Sequence, residues 1–297
     1  MQWPKDLKNR VRTDVPLKQR TTWRIGGQAQ YFIRPADLAE LRAAVAYCRK
    51  KRLSLRVLGK GSNILVSDTG VQGAVVSLEA PYFRKMRCDG RLITVGAAMP
   101  LAGVLAYCTA RGLSGMEFVA GIPGTIGGAL AMNAGIVLKK RERSIGDLVE
   151  SVLVMDYNSR VVLLEKPAVR FGYRSSSLGR YIILGATLRL RRDTGRAVRA
   201  RIARYLRLRG ADWQWKYPNA GCVFKNPASA SAGRLIDGCG LKGFRSGSAM
   251  ISQDHANFIL NTGGARSRDV LRLMNRARAC VRKKYGVTLE PEIKIWK

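Results

Sequence analysis

The chain has 297 residues, 46% of them hydrophobic, enough for two domains with their own cores and too apolar for an intrinsically disordered protein. Its 53 lysines and arginines face only 20 acids, a formal charge of +33 that reads as solvated basic faces or, alternatively, as a polyanion-binding surface. One histidine, His255, and six cysteines without CxxC spacing leave no zinc site of ordinary composition, so no metal is expected.

A basic lead runs to Arg20, and alternating strands and helices follow. Tyr31 to Ile33 is the first predicted strand. Asp37 then caps a helix whose inward face is Leu38, Leu41, Val45 and Cys48, closed by the cationic run Arg49 to Arg52. Leu55 to Leu58 and Ile64 to Val66 are strands around the polar turn Gly59-Lys-Gly-Ser-Asn63, and Ala74 to Leu78 and Leu92 to Val95 continue the pattern. Pro100 takes the first position of a helix with Leu101, Val104, Leu105 and Cys108 inward and Gly112 at its end.

Beyond the glycine-rich stretch 121–135, Val152 to Met155, Val161 to Leu164 and Tyr181 to Leu190 read as strands of a second sheet. An arginine-rich helix spans 196–209. A helix near 231–238, a strand at Asn257 to Leu260, a helix from Ser267 to Lys284 and a strand at Ile293 to Ile295 complete the set. In the long helix, Val270, Leu273, Met274, Ala277 and Val281 form one apolar stripe. The class is α+β with mixed sheets. The uncharged stretch 119–138 carries glycines, Pro123 and Asn133, which suit a loop and short helix and not a membrane span. The opening Met1-Gln-Trp-Pro-Lys-Asp6 has no apolar signal core, so a cytoplasmic location is expected.

Two segments carry the chemistry. Gly121-Ile-Pro-Gly-Thr-Ile-Gly-Gly128 runs on into Met132-Asn133-Ala134-Gly135 without a charge, so its backbone can approach a ligand and offer N–H groups to an anion. With Gly59, Lys60, Gly61, Ser62 and Asn63 it forms a pair of glycine-rich turns suited to one diphosphate, through backbone and the Ser62, Asn63 and Thr125 side chains. Neither turn fits GxGxxG opening a βαβ unit or GxxxxGK[ST], so an ordinary Rossmann or P-loop site is not supported. The second segment, Gly221-Cys-Val-Phe-Lys-Asn-Pro227, sets a thiol, an ammonium and an amide within five residues.

The ordered series Thr22-Trp-Arg-Ile-Gly-Gly27, Leu58 to Val66, Glu117 to Gly128, Phe171-Gly-Tyr-Arg-Ser175, Ala220 to Pro227, His255-Ala-Asn-Phe258 and Leu289-Glu-Pro-Glu-Ile293 resembles the UDP-N-acetylenolpyruvoylglucosamine reductases (MurB), flavoenzymes of peptidoglycan precursor synthesis. The short spacing from Arg174 to Tyr181 resembles the subtype without an extra tyrosine-bearing insertion. The resemblance implies a bipartite FAD-binding domain of the vanillyl-alcohol-oxidase (PCMH) type over 1–195, with subdomains of about 1–80 and 81–195, the first completed by 286–297. A C-terminal α/β substrate domain is implied over 196–297. Non-covalent FAD would lie against Gly59 to Asn63, Gly121, Ile122, Pro123, Gly124, Thr125, Gly127, Gly128 and Asn133, with NADPH as reductant.

The resemblance assigns three catalytic residues. Arg174 stabilises an enolate, Cys222 stands where many relatives carry a proton-donating serine, and Glu292 lies near the substrate carboxylate; alternation along a strand leaves Glu290 as a rival for that place. Tyr173, Lys225 and Asn226 are implied substrate contacts, whereas His255 is assigned no proton transfer. The partners implied are a UDP-sugar and NADPH, no membrane, a monomer, and nucleic acid only as a secondary electrostatic contact of the arginine-rich faces. Two other readings stay open: a related flavoprotein with another substrate, and a non-catalytic polyanion binder. The chain departs from the family at Ile136 to Arg143, at Lys60, and at Trp213 and Trp215 around Gln214.

Overall fold

The computed structural model describes residues 3–138, 141–210, 216–228 and 230–297. Lys139 and Lys140 of the divergent loop, and Trp213, Gln214 and Trp215, lie outside the described residues. The described helices include α1 (Leu38–Lys50), α2 (Leu101–Ala110), α3 (Ile126–Ala131), α4 (Gly195–Arg209), α5 (Ala232–Asp237) and α6 (Ser267–Tyr285). The chain divides into two compact units. The first takes residues through Arg12, Phe32–Lys60 and Ala74 to the end of α4; the second takes Thr13–Tyr31, Gly61–Gly73 and the remainder.

In the first unit, Asp37 starts α1 by accepting the Glu40 N–H at 2.9 Å, and Leu41, Ala44, Val45 and Cys48 turn into the core. Strand Leu55–Leu58 runs parallel to the second half of Val71–Ser77, with Leu55 opposite Ala74 and Leu58 opposite Ser77. A five-stranded antiparallel sheet has the order Val161–Glu165, Val149–Met155, Ile182–Arg189, Leu92–Gly96, Met86–Asp89. Helices α2 and α3 contribute Leu101, Val104, Cys108, Ile126 and Leu130 to the cluster that also takes in Ile93, Val152 and Leu188 of that sheet. Burial pushes the Cys48 thiol up to about 11 and the Cys108 thiol to about 12, so both act as small apolar core groups.

Pro100 corrects one expectation. It precedes α2 in extended geometry (φ −62°, ψ 138°) and is not its first helical residue. The strands Leu55–Leu58 and Ile64–Val66 belong to different sheets, so the turn between them is not a hairpin connection.

In the second unit, Ile64–Val66 pairs in parallel with Lys294–Trp296. Three short antiparallel strands, Arg245–Ser246, Ala249–Ile251 and Ile259–Asn261, adjoin α6, whose Val270, Leu273, Met274, Ala277 and Val281 are all buried. Trp23 is fully buried among them: its Nε1–H donates to Ile259 O at 2.8 Å and its carbonyl accepts from Asn261 Nδ2 at 2.9 Å. An early segment of chain is thereby bound into the core built by the last third.

Candidate active site

The first unit holds one glycine-rich turn against the start of the other. A Cβ on Gly59 would stand 3.0 Å from Thr125 Oγ1, and one on Gly128 would stand 3.6 Å from the same atom. Thr125 caps α3 by accepting the Gly128 N–H at 3.3 Å, which leaves its hydroxyl hydrogen to donate. The Ile126 and Gly127 N–H groups donate to Met99 O at 3.0 Å and Ala97 O at 2.8 Å, fixing this end of the helix against the sheet. Glycines, a hydroxyl and the exposed Lys60 ammonium thus border one polar cradle, a donor set that fits the diphosphate of a dinucleotide such as FAD.

An ion-pair network around the buried Glu117 holds the segment that leads into the second glycine-rich turn. Glu117, 3% exposed, accepts from Ser114 Oγ at 2.8 Å, Gly115 N at 2.8 Å and Arg201 Nε of α4 at 2.9 Å. Arg201 also bonds Asp193, and Arg209 Nη2 donates to Phe118 O at 2.8 Å. Burial opposes the Glu117 charge, but hydrogen bonds from the local backbone, Arg201 and Ser114 outweigh it and hold its pKa below the ordinary carboxylate range. Glycine alone suits position 121, where φ is +79° and a side chain would press on Arg209 and Leu206 at 3.3 Å. Sequence reasoning missed Glu117 and Arg201 as a pair, although an acid directly before an uncharged glycine-rich turn was a visible signal.

Asn133 is buried and left-handed (φ +44°), and both ends of its amide are used internally. Oδ1 accepts the Gly146 N–H and Nδ2 donates to Gly172 O, each at 3.0 Å. The second bond clamps the tight strand pair Phe171–Gly172 and Ser175–Ser176, whose turn presents Tyr173 and Arg174. Arg174 also has positive φ (+52°), a strained conformation held here by structure around it. Its Nη2 donates to Gly135 O at 3.1 Å, and its guanidinium stands 5.0 Å from the Tyr173 ring centre.

The second unit carries the rest. Gly61 sits where φ is +67° and a Cβ would come within 2.2 Å of Arg20 O, so the turn admits no other residue without moving. Its carbonyl accepts the Thr22 N–H at 3.1 Å. Asn63 Nδ2 donates to Glu292 O at 3.2 Å, and Asn63 O accepts the Lys294 N–H at 2.9 Å. Glu292 N–H in turn donates to Val223 O at 2.8 Å, so the turn 61–63, the Glu292 segment and the Cys222 segment form one bonded series. Isolated antiparallel bridges, Cys222 with Phe258 and Phe224 with Pro291, flank it.

Asn257, 1% exposed, completes the support: Oδ1 accepts Phe224 N–H at 3.0 Å and Nδ2 donates to Phe224 O at 2.8 Å. Cys222 and Glu292 are half-buried. Glu290 is different, with its side chain 73% exposed and its carboxylate 3.4 Å from Lys225 Nζ. Asn226 Oδ1 accepts the Ala232 N–H at 2.9 Å, at the first turn of α5. His255 packs on Phe258 with ring centres 5.0 Å apart, and its Nδ1 accepts the Asn257 N–H at 3.2 Å. Cys222 and Glu292 are therefore brought together within one unit, whereas Arg174 belongs to the other. Among the described residues, no cluster of three or more His, Cys, Asp or Glu could hold a metal ion, and no helix is long and apolar enough to cross a membrane.

Comparisons with known proteins match two stretches of the chain, the first of which includes segments of both units. Residues 29–165 match a family described as FAD binding domain, and residues 213–296 match UDP-N-acetylenolpyruvoylglucosamine reductase, C-terminal domain. The chain is 44% identical over 291 residues to the UDP-N-acetylenolpyruvoylglucosamine reductase of Moorella thermoacetica, covering 98% of this chain and 94% of that protein. It is 40% identical to UDP-N-acetylenolpyruvoylglucosamine reductase 2 of Symbiobacterium thermophilum, with 97% and 92% covered. The crystal structure of MurB from Thermus caldophilus superposes with a TM-score of 0.83 at 38% identity, covering 97% of this chain and 99% of that one. A solvent-stable cholesterol oxidase, 17% identical with a TM-score of 0.50 over 63% of this chain and 38% of its own, shares the fold alone. The architecture is thus an FAD-binding domain of the vanillyl-alcohol-oxidase type joined to a reductase C-terminal domain, and the chain, an FAD-dependent oxidoreductase, belongs to the UDP-N-acetylenolpyruvoylglucosamine reductase family.

Proposed function

We propose that this protein reduces the enolpyruvyl ether of UDP-N-acetylglucosamine to UDP-N-acetylmuramate with electrons from NADPH, a step of peptidoglycan precursor synthesis. When bound, FAD supplies hydride chemistry for C3 of the enolpyruvyl group. The residues that would hold it are Gly59 to Asn63, Gly121 to Thr125, Gly127 and Gly128. As the C3–H bond forms, the electron pair of the double bond moves to C2 and into the adjoining carboxylate. Arg174, permanently charged and bidentate, stabilises that anion. Cys222 gives its Sγ proton to C2 and is left as a thiolate for solvent to reprotonate. A thiol is a far stronger acid than an alcohol, so it releases that proton more readily than a serine would. Glu292 orients the groups around the carboxylate, and Tyr173, Lys225 and Asn226 bind substrate oxygens.

One observation supports this reading above others: the bonded series from Asn63 through Glu292 to Val223 joins the cofactor turn directly to the residues flanking the thiol. It also favours Glu292 over Glu290, which is exposed and paired with Lys225.

The test separates the two half-reactions. In rapid mixing, Cys222→Ala should still lose its yellow colour with NADPH, while reoxidation by the enolpyruvyl sugar nucleotide slows by about 10²–10⁴-fold, the span of general-acid effects. Glu292→Gln should impair the same step and Glu290→Gln should not. Unchanged turnover in Cys222→Ala would remove the assigned acid.

A further inference from the structure

The reaction uses none of the charge carried by α6. On its solvent side stand Arg268, Arg272, Arg276, Arg278 and Arg282, then Lys283, all exposed, while Lys284 turns its ammonium onto Gly238 O. Its single acid, Asp269, is buried and turned back to accept the Arg266 N–H at 3.0 Å. Among the described residues none of these cations forms an ion pair. Arg268, Arg272 and Arg276 follow one another at four-residue intervals, the spacing at which like charges on a helix repel. Arg268 lies in the first turn, where the helix dipole disfavours a cation. The dipole favours Arg282 and Lys283 in the last turn, but helix stability does not account for Arg268, Arg272 and Arg276. At ~1.5 Å per residue the row extends about 22 Å from Arg268 to Lys283.

Two exposed aromatic rings border the same helix. Arg276 stands 5.7 Å from the Phe244 ring centre and Lys284 5.5 Å from that of Tyr285. Phe244 is 44% exposed and Tyr285 40%. Cations that follow a phosphate backbone, with ring faces beside them, are what unpaired nucleic acid requires. Arginine dominates, and its planar fork matches phosphate oxygens. A bilayer surface fits less well, because interfacial helices insert their apolar face and here that face is already consumed by the core.

We propose that the outer face of α6, with Phe244 and Tyr285, binds single-stranded nucleic acid through its phosphates and bases. The inference is independent of the reductase chemistry, and none of its residues belongs to the assigned catalytic or cofactor machinery.

The test measures fluorescence anisotropy of a short labelled oligouridylate, and of oligothymidylate, with the FAD-loaded protein across a series of salt concentrations. The variant Arg272→Gln/Arg276→Gln/Arg282→Gln is compared with Arg196→Gln/Arg199→Gln/Arg204→Gln on α4, which removes the same charge elsewhere. Each single-strand phosphate contact contributes about −0.7 to the slope of log K against log salt. The α6 variant should flatten the slope by about 2 and weaken binding by about a hundredfold at ~0.1 M salt. The α4 variant should change binding by less than about threefold, and Phe244→Ser should weaken it without altering the slope. Equal losses in the two triple variants would reduce the effect to net charge and overturn the proposal. So would undetectable binding at ~0.1 M salt, or an α6-dependent preference for vesicles containing anionic lipid over either oligonucleotide. An unchanged flavin spectrum in each variant confirms that losses are not unfolding.

Discussion

Replacing Asn257 by alanine should disturb the catalytic segment more than any substitution on its surface. The Asn257 amide pairs with both backbone groups of Phe224, at 3.0 and 2.8 Å, in a place where both residues are 1% exposed. Alanine leaves a buried N–H and a buried C=O without those partners. Each orphaned group costs about 1–3 kcal/mol, so the variant should lose about 3 kcal/mol. At about 2–4 °C per kcal/mol for a protein of this class, the melting midpoint should drop by about 6–12 °C. Urea titration and thermal melts of apo- and FAD-loaded protein give the stability change, and rapid-mixing reoxidation reports the position of Cys222. Asn257→Asp keeps the acceptor for Phe224 N–H but sets a carboxylate against Phe224 O, so it should be no better than alanine. A loss below about 0.5 kcal/mol in the alanine variant, with reoxidation unaltered, would refute the claim that this amide holds the segment.

Arg201→Met should destabilise the protein by about 2 kcal/mol and weaken FAD binding measured by flavin fluorescence, because Glu117 keeps its charge with only Ser114 and Gly115 to bond it. The depressed Glu117 pKa gives stability that is present above the unfolded value of 4.5 and lost as pH falls below it; Glu117→Gln should flatten acid unfolding there. Burial, opposed by a backbone hydrogen bond and aided by Lys242, lowers the His255 pKa from 6.5, so the unfolded chain takes up the proton first. Stability from this group is complete above 6.5 and declines as pH falls through it, and the decline should be weaker in His255→Gln. Gly61→Ala should purify with little flavin, since its Cβ would come within 2.2 Å of Arg20 O in a turn with φ +67°.

Local signals exposed much of this fold. Asp37, the Leu41–Val45–Cys48 face and the Val270–Val281 stripe each act within one helix, so their periodicity was enough. The strand Leu55–Leu58 was bounded by polar residues on both sides and needed no partner to be seen. Val11–Pro16 was missed because its exposed Arg12, Thr13 and Asp14 give no alternation, and its strand character comes from its neighbour in the sheet. The expected strand Asn257 to Leu260 begins instead at Ile259, since the Asn257 side chain has taken over pairing with Phe224. The closing strand is Lys294–Trp296, one residue later than expected, in register with Ile64–Val66.

Site chemistry was legible in kind and less so in use. The thiol, guanidinium, carboxyl and glycine turns announce themselves by residue type. Asparagines do not, because an amide serves a ligand or a distant backbone equally well. Asn63, Asn133 and Asn226 each bond chain segments at 3.2, 3.0 and 2.9 Å, and those partners depend on contacts no local pattern encodes.

The bond from Asn63 to Glu292 joins residues 229 positions apart, and Lys294–Trp296 pairs beside it. A ribosome emitting this polypeptide would release the nucleotide-cradling loop long before its keeper strand, leaving that loop without a template through most of synthesis. Maturation of the loop therefore waits for Glu292 and Lys294–Trp296, and contacts of such high sequence separation are slow to form. Flavin capture should accordingly follow the pairing of Lys294–Trp296, and lesions in that strand should register as colourless protein.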